Sequence, residues 1–176
     1  MTATNRHPRS TAFLLAQVGA HAAGKFAERL APLNLAPAHA GTLRIIQRSS
    51  GISQQALSSM LGVPPSRLVV LLDELEKREL LERRDSPEDR RVYALHLTGK
   101  GTKVFEAIGK IAREHDDAIC AALNSEEREM LGALLGRIAD QQSLTPGVHP
   151  GFSRLGRSSA EDDEKETPRS ARRKTK

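Results

Sequence analysis

The chain has 176 residues, 27 Lys and Arg against 22 Asp and Glu, a net charge of +5, and 38% hydrophobic residues. That length suits one domain, and a single cysteine excludes an internal disulfide framework, which fits a reducing cytoplasm. The basic balance does not by itself mark a nucleic-acid partner: residues 143–176 hold eight basic and five acidic residues (+3), so the remaining 19 basic and 17 acidic residues leave only +2.

In chain order, residues 1–9 read as a flexible N-terminus and the rest divides into helical stripes around one unusual stretch. Leu14, Val18, Ala22, Phe26 and Leu30 recur every four residues, which predicts a helix from about Ser10 to Ala31. Its apolar run at Phe13–Ala16 is soon interrupted by Gln17, His21 and Lys25, so neither a secretory signal nor a membrane span is expected. Pro32 to Pro37 ends that helix, and a second, from about Ala38 to Ser49, places Leu43 and Ile46 on its buried side. Ser53 is a candidate cap for the next helix, because its hydroxyl can accept from a free amide in the first turn. Gly62 then supplies the backbone freedom of a sharp turn. Val63 is pushed out of the α region by the following proline, so a new helix begins at Pro64. Leu68, Leu71, Leu72 and Leu75 give it one buried face, and Ser66, Arg67, Asp73, Glu74 and Lys77 lie off that stripe.

Two strands around a charged turn follow. Glu82-Arg83-Arg84-Asp85 leads into the turn-forming Ser86-Pro87-Glu88-Asp89, and Arg90-Arg91-Val92-Tyr93-Ala94-Leu95-His96-Leu97 alternates loosely at period two. Thr98 is a candidate cap for a long helix whose face carries Val104, Ile108, Ile111 and Ile119. Asn124 or Ser125 caps a last helix, with Glu126 and Glu127 favourably placed in its first turn and Met130, Leu131, Leu134, Leu135 and Ile138 on its apolar side. The stretch 143–176 has few large apolar residues and reads as a disordered charged tail, either a solubilising extension or a nonspecific DNA-binding arm formed by Arg172-Arg173-Lys174-Thr175-Lys176.

No enzyme is expected. The chain has no Gly-rich phosphate loop and no Gly-x-Ser-x-Gly elbow, and the adjacent Asp116 and Asp117 point in different directions on a helix. Imidazole and carboxylate are ordinary zinc ligands, but no two histidines have metal-motif spacing, so His39, His115 and Asp116 are not expected to form a metal site, and no cofactor is implied.

The run from Leu61 to Arg83, with Asp89-Arg90-Arg91 and Leu97-Thr98-Gly99-Lys100-Gly101, resembles the MarR family of winged helix-turn-helix transcriptional regulators. The resemblance implies a mainly α fold with a small β-wing: a winged helix-turn-helix plus N- and C-terminal dimerisation helices. It covers residues 10–142, with a DNA-binding lobe at about 38–98 and dimerisation helices at about 10–31 and 99–142. Pro65, Val70 and Glu79 depart from the pattern, which has polar residues at the first two positions and glycine at the third.

The implied function is a homodimeric regulator of the repressor kind, acting on double-stranded DNA at a pseudo-palindrome and released by a small aromatic or phenolic effector. The alternative is a winged module that binds DNA without sequence choice or binds a protein. Candidate DNA contacts are Ser53, Gln54, Pro65, Ser66, Arg67 and Val70, with Arg83, Arg84, Asp89, Arg90 and Arg91 on the wing, where guanidinium groups suit a narrow minor groove. Arg67 can bridge to a guanine, whereas Val70 can only touch a thymine methyl. Candidate effector contacts are His21, His39, Arg44 and His115, polar groups beside apolar helix faces. Cys120, inside Ile119-Cys120-Ala121-Ala122, reads as an inert packed thiol.

Overall fold

The computed structural model describes residues 10–85, 93–149 and 152. Helix α1 (Thr11–Leu30) is followed by a single 3-10 turn (Ala31–Leu33), then α2 (Pro37–Arg48), strand β1 (Ile52–Ser53), α3 (Gln54–Leu61) and α4 (Pro65–Lys77). Strands β2 (Leu81–Asp85) and β3 (Tyr93–Leu97) precede the long α5 (Gly99–Ile119) and the terminal α6 (Ser125–Gln141). The mainly helical fold with a small antiparallel wing is therefore present.

The helix stripes converge on one core. Leu43 and Ile46 of α2, Leu57 of α3, Leu68, Leu72 and Leu75 of α4, and Leu95 of β3 are all fully buried. Burial of each such side chain is worth about 1.5–3 kcal/mol, so this leucine-rich cluster is the main force holding the lobe together. The helix ends follow from their capping residues. The Ser53 hydroxyl accepts from the Ala56 amide at 3.1 Å, and Gly62 takes a left-handed conformation at φ +64° to turn the chain into α4. Asn124 and Glu127 cap α6 reciprocally at 3.0 and 2.9 Å.

The sheet has one strand more than the sequence announces. β3 lies between β2 and β1, antiparallel to both, with Ile52 opposite Leu95 and Leu81 opposite Leu97. A two-residue strand carries no readable alternation, so β1 leaves no periodic signal. The turn at 86–92, with Asp89, Arg90 and Arg91, lies outside the described residues.

Two contacts tie the lobe to the flanking helices. Arg78 donates to the carbonyls of Leu33 and Asn34 at 2.8 and 2.6 Å, joining the end of α4 to the α1–α2 turn. The Thr98 hydroxyl accepts from the Gly101 amide at 2.9 Å and donates to the Glu79 carbonyl at 2.6 Å, which locks the start of α5 against the end of α4. A β-carbon at Gly101 would lie 1.8 Å from the Leu80 carbonyl oxygen, so only glycine permits this approach. From there α5 runs beside α1 and α2, burying Ile108.

The boundary expected at Ser143 is corrected. Val148 packs against the core, and Phe152 is part of it at 5% exposure. The Phe152 ring sits on Gly41 of α2, where a β-carbon would come within 2.6 Å of it. The composition of 143–176 is that of a tail, yet Val148 and Phe152 meet the core. Residues 153–176 lie outside the described residues.

Candidate nucleic-acid interface

The turn at Gly62 leaves the first turn of α4 projecting from the lobe. Its buried stripe begins at Leu68, so Pro65, Ser66 and Val70 face solvent and Arg67 is half-exposed. Val70 is 58% exposed, so its side chain is open to a partner. Among the described residues the Arg67 side chain makes no hydrogen bond or ion pair, while its amide donates to the Pro64 carbonyl at 3.0 Å. Ser53 and Gln54, half-exposed at the start of α3, complete the helix-turn-helix; the Ser53 hydroxyl is occupied as the cap. The sequence-derived set on α3 and α4 is thus brought to one pair of helix starts. Helix starts also present free backbone amides and a partial positive charge, which suits phosphate.

The second half of α4 is acidic, and its carboxylates are used within the fold. Asp73 and Glu76, three residues apart on one face, both bind Arg83 of β2; Asp73 Oδ1 lies 2.6 Å from Arg83 Nη2, and Glu76 receives Nη1. The Arg83 side chain is 18% exposed, so its guanidinium is held inside the joint between α4 and the wing. Arg83 positions the wing and does not present a free cation. Arg84 is exposed at the strand end and paired with Glu82, its Nε donating to Oε1 at 3.0 Å. A paired exposed arginine of this kind is held by little and is easily redirected. Asp73 and Glu76 lie on α4, an element that the sequence reading of the wing did not include. Their spacing of three on a helix opposite an arginine-bearing strand was the available signal.

The four candidate effector contacts differ in what they meet. His39 Nδ1 accepts from the Ala36 amide at 2.9 Å, so its proton is on Nε2, which donates to Glu74 at 3.0 Å and joins α2 to α4. Arg44 donates to the Gly147 carbonyl. His21 is exposed on α1. His115 stands against Phe26, with ring centroids 5.3 Å apart, and its Nδ1 is buried with no partner among the described residues. Burial, and then the nearby Arg29, holds the His115 imidazole below its ordinary range. Among the described residues no three His, Cys, Asp or Glu side chains lie close enough to hold a metal ion. Cys120 is half-buried at the C-terminal cap of α5, less enclosed than its apolar neighbours implied.

Comparison with known proteins agrees with this architecture. The MarR family profile matches residues 33–92. A transcriptional regulatory protein described for the hcr operon of Thauera aromatica is 37% identical over 106 residues, which are 60% of this chain and 64% of that protein. The regulator BilQ of Clostridium symbiosum is 30% identical over 93 residues, 53% of this chain and 65% of that one. The chain thus spans slightly less than two thirds of these curated relatives. The structure of the transcriptional repressor CouR bound to a 23-mer DNA duplex superposes with a TM-score of 0.67, at 30% identity, over 74% of this chain and 92% of that chain. With the helix-turn-helix, the wing and the flanking helices all in place, the chain belongs to the MarR family of winged-helix transcriptional regulators.

Proposed function

We propose that the protein is a homodimeric, cytoplasmic, sequence-specific DNA-binding regulator of the repressor kind, released from its operator by a small molecule. The observation that carries this reading is the exposed start of α4, where Pro65, Ser66, Arg67 and Val70 project beyond a fully leucine-lined buried face. Arg67 is the residue for a guanine edge and Val70 for a thymine methyl. Arg84, with Arg90 and Arg91, supplies the wing's positive charge. The similarity to CouR, whose structure is a DNA complex, supports the same use of the lobe. No helix among the described residues is long and apolar enough to cross a membrane, which is consistent with a cytoplasmic setting.

The dimer is supported by apolar surface with nothing to cover it in one chain. Helix α6 buries no residue, while Met130, Leu131, Leu134, Leu135 and Ile138 are 38–67% exposed. Phe13, Leu15 and Val18 of α1 are exposed too, and Leu15 shares a concave surface with Leu131, Leu134, Leu135 and Ile138. Such a surface suits a second copy.

The reading is tested with Arg67→Ala on the full chain and a duplex carrying the bound sequence. A loss of about 1–3 kcal/mol, concentrated at one base position, identifies a base contact. A uniform loss across sequences, with the salt slope reduced by about one, makes it a phosphate contact. Unchanged binding contradicts the interface.

A further inference from the structure

The chain leaves α6 through two tight turns. The Leu144 amide donates to the Ala139 carbonyl and the Ser143 amide to the Asp140 carbonyl, each at 3.0 Å. With Ser143 in the left-handed region at φ 52°, this closes the helix in a Schellman turn. Thr145-Pro146-Gly147-Val148 follows as a β-turn, with the Val148 amide donating to the Thr145 carbonyl at 3.1 Å. Proline suits the second position of such a turn and glycine the third, where φ is +74°. The next contacts are with α2. The Arg44 guanidinium donates to the Gly147 carbonyl, and a β-carbon at Gly147 would lie 2.8 Å from that guanidinium. The Phe152 ring rests on Gly41, where a β-carbon would meet two ring carbons at 2.6 and 2.8 Å. Gly41 and Arg44 are three residues apart and so share one face of α2.

We propose that residues 144–149 and Phe152 form a strap that positions the DNA-binding lobe relative to α6, and that Phe152 is its anchoring residue. The proposal rests on the dimeric regulator reading above and adds a positioning role to it. Helix α6 buries no residue within one chain, so little packing of its own fixes its C-terminal end. Helix α2, by contrast, is tied into the lobe. Leu43 and Ile46 are fully buried in the core, and His39 donates to Glu74 of α4 at 3.0 Å. A displacement at the end of α6 is therefore carried through the two turns to α2, and from α2 to α4. Stiffness decides whether it arrives: a flexible Gly/Ser linker would absorb it, whereas a closed helix end and a proline-led turn have few bonds free to rotate. In a dimer built on α6, the strap fixes where each α4 start stands about the two-fold axis. One extra base pair between half-sites moves them apart by about 3.4 Å and turns one against the other by about 35°. A lobe held by the strap rejects that change, and a released lobe follows it.

The test uses the full chain and two readouts. For the first, nitroxide labels are placed at Lys77→Cys of α4 and Glu129→Cys of α6 on a Cys120→Ser background. Dilution with excess unlabelled chain lets pulsed dipolar spectroscopy read the distance within one chain. The intact strap is expected to give one narrow distance distribution, and Phe152→Ala or Gly41→Ala to broaden it beyond the spread of the labels themselves. Alanine is a better helix former than glycine, so a lost α2 will not explain the second variant. Phe152→Leu, which keeps apolar bulk on Gly41, should restore most of the narrowness. For the second readout, binding is compared on the inverted repeat that the wild type selects from random DNA, at its own spacing and with one base pair added or removed. The wild type should prefer its own spacing about tenfold or more and the two alanine variants about threefold or less, with the same oligomer in sedimentation. Unchanged width in both alanine variants would overturn the proposal. So would broadened distances with wild-type spacing preference, since the strap would then hold α6 without setting the lobe. Should Phe152→Ala fail to fold, Gly41→Ala and Arg44→Met carry both readouts. A wild type that binds no duplex contradicts the regulator reading, and the distance readout, which needs no DNA, still decides whether the strap holds the lobe to α6.

Discussion

At the scale of single residues, the same side-chain type does different work according to what lies across from it. Arg83 and Arg84 are neighbours on β2, yet Arg83 is gripped by two carboxylates of α4 and Arg84 reaches solvent beside Glu82. Alternation along a strand sends successive side chains to opposite faces, which separates a structural arginine from one available to a partner. The histidines divide similarly. His39 is a tautomer-specific link between α2 and α4, whereas His115 is partly desolvated against Phe26. The folded-state pKa of His115 lies below its ordinary value, so the unfolded chain takes up this proton first as pH falls. The stabilisation is therefore fully present above about pH 6.5, the unfolded value, and is lost as pH drops towards the lower folded one. Thermal unfolding across about pH 7.5 to 5 should show a steeper loss in the wild type than in His115→Gln; parallel profiles would contradict this.

At the scale of elements, the end of α4 holds a local conflict. Glu79 sits in the left-handed region at φ 59°, while the Leu80 amide reaches back to the Leu75 carbonyl at 3.0 Å and the Glu79 amide to Glu76 at 2.8 Å. This helix-end geometry favours glycine, because a β-carbon in that conformation costs roughly 1–2 kcal/mol. The Glu79 carboxylate recovers little through its exposed pair with Lys100. Glu79→Gly should therefore raise unfolding stability by about 0.5–1 kcal/mol, read from the denaturant midpoint, and a decrease would show that the Lys100 pair outweighs the strain. The helices and their caps were legible in the sequence because Ser53, Gly62, Thr98 and Asn124 act locally, each on an amide or turn within a few residues. The exposed side of α4 was legible for the same reason, since the leucine stripe fixes which side faces out. The third strand, the ion-pair joint at Arg83 and the seat of Phe152 were not, because each is made with residues of another element: Leu95 for β1, Asp73 and Glu76 for Arg83, Gly41 for Phe152.

At the scale of the whole molecule, the features of the lobe and of the flanking helices support one another. One core joins the lobe to the flanking helices and one helix start projects from it, while α1 and α6 carry apolar side chains that a single chain leaves in water. Two copies joined through those helices would present two α4 starts related by a two-fold axis, which is what a pseudo-palindrome requires. Leu134→Asp, at an exposed position in the middle of α6, should leave the lobe folded and shift the protein from dimer to monomer in sedimentation, with a marked loss of DNA affinity. A dimer that persists would move the interface elsewhere. The net charge of +5 argues little for DNA by itself, because most of it lies in residues 143–176. The exposure of Arg67 and Arg84 supports the proposed DNA contact more than the net charge does. The most direct test of a sequence-specific dimeric regulator is selection of bound fragments from random DNA by the full chain, with competitor present at about 150 mM salt so that nonspecific phosphate binding is suppressed. The account predicts recovery of an inverted repeat with half-sites about 34 Å apart, bound roughly 10³-fold or more above random duplex. Recovery of no common sequence, despite tight binding at low salt, would contradict it and leave a winged module that coats DNA without reading it.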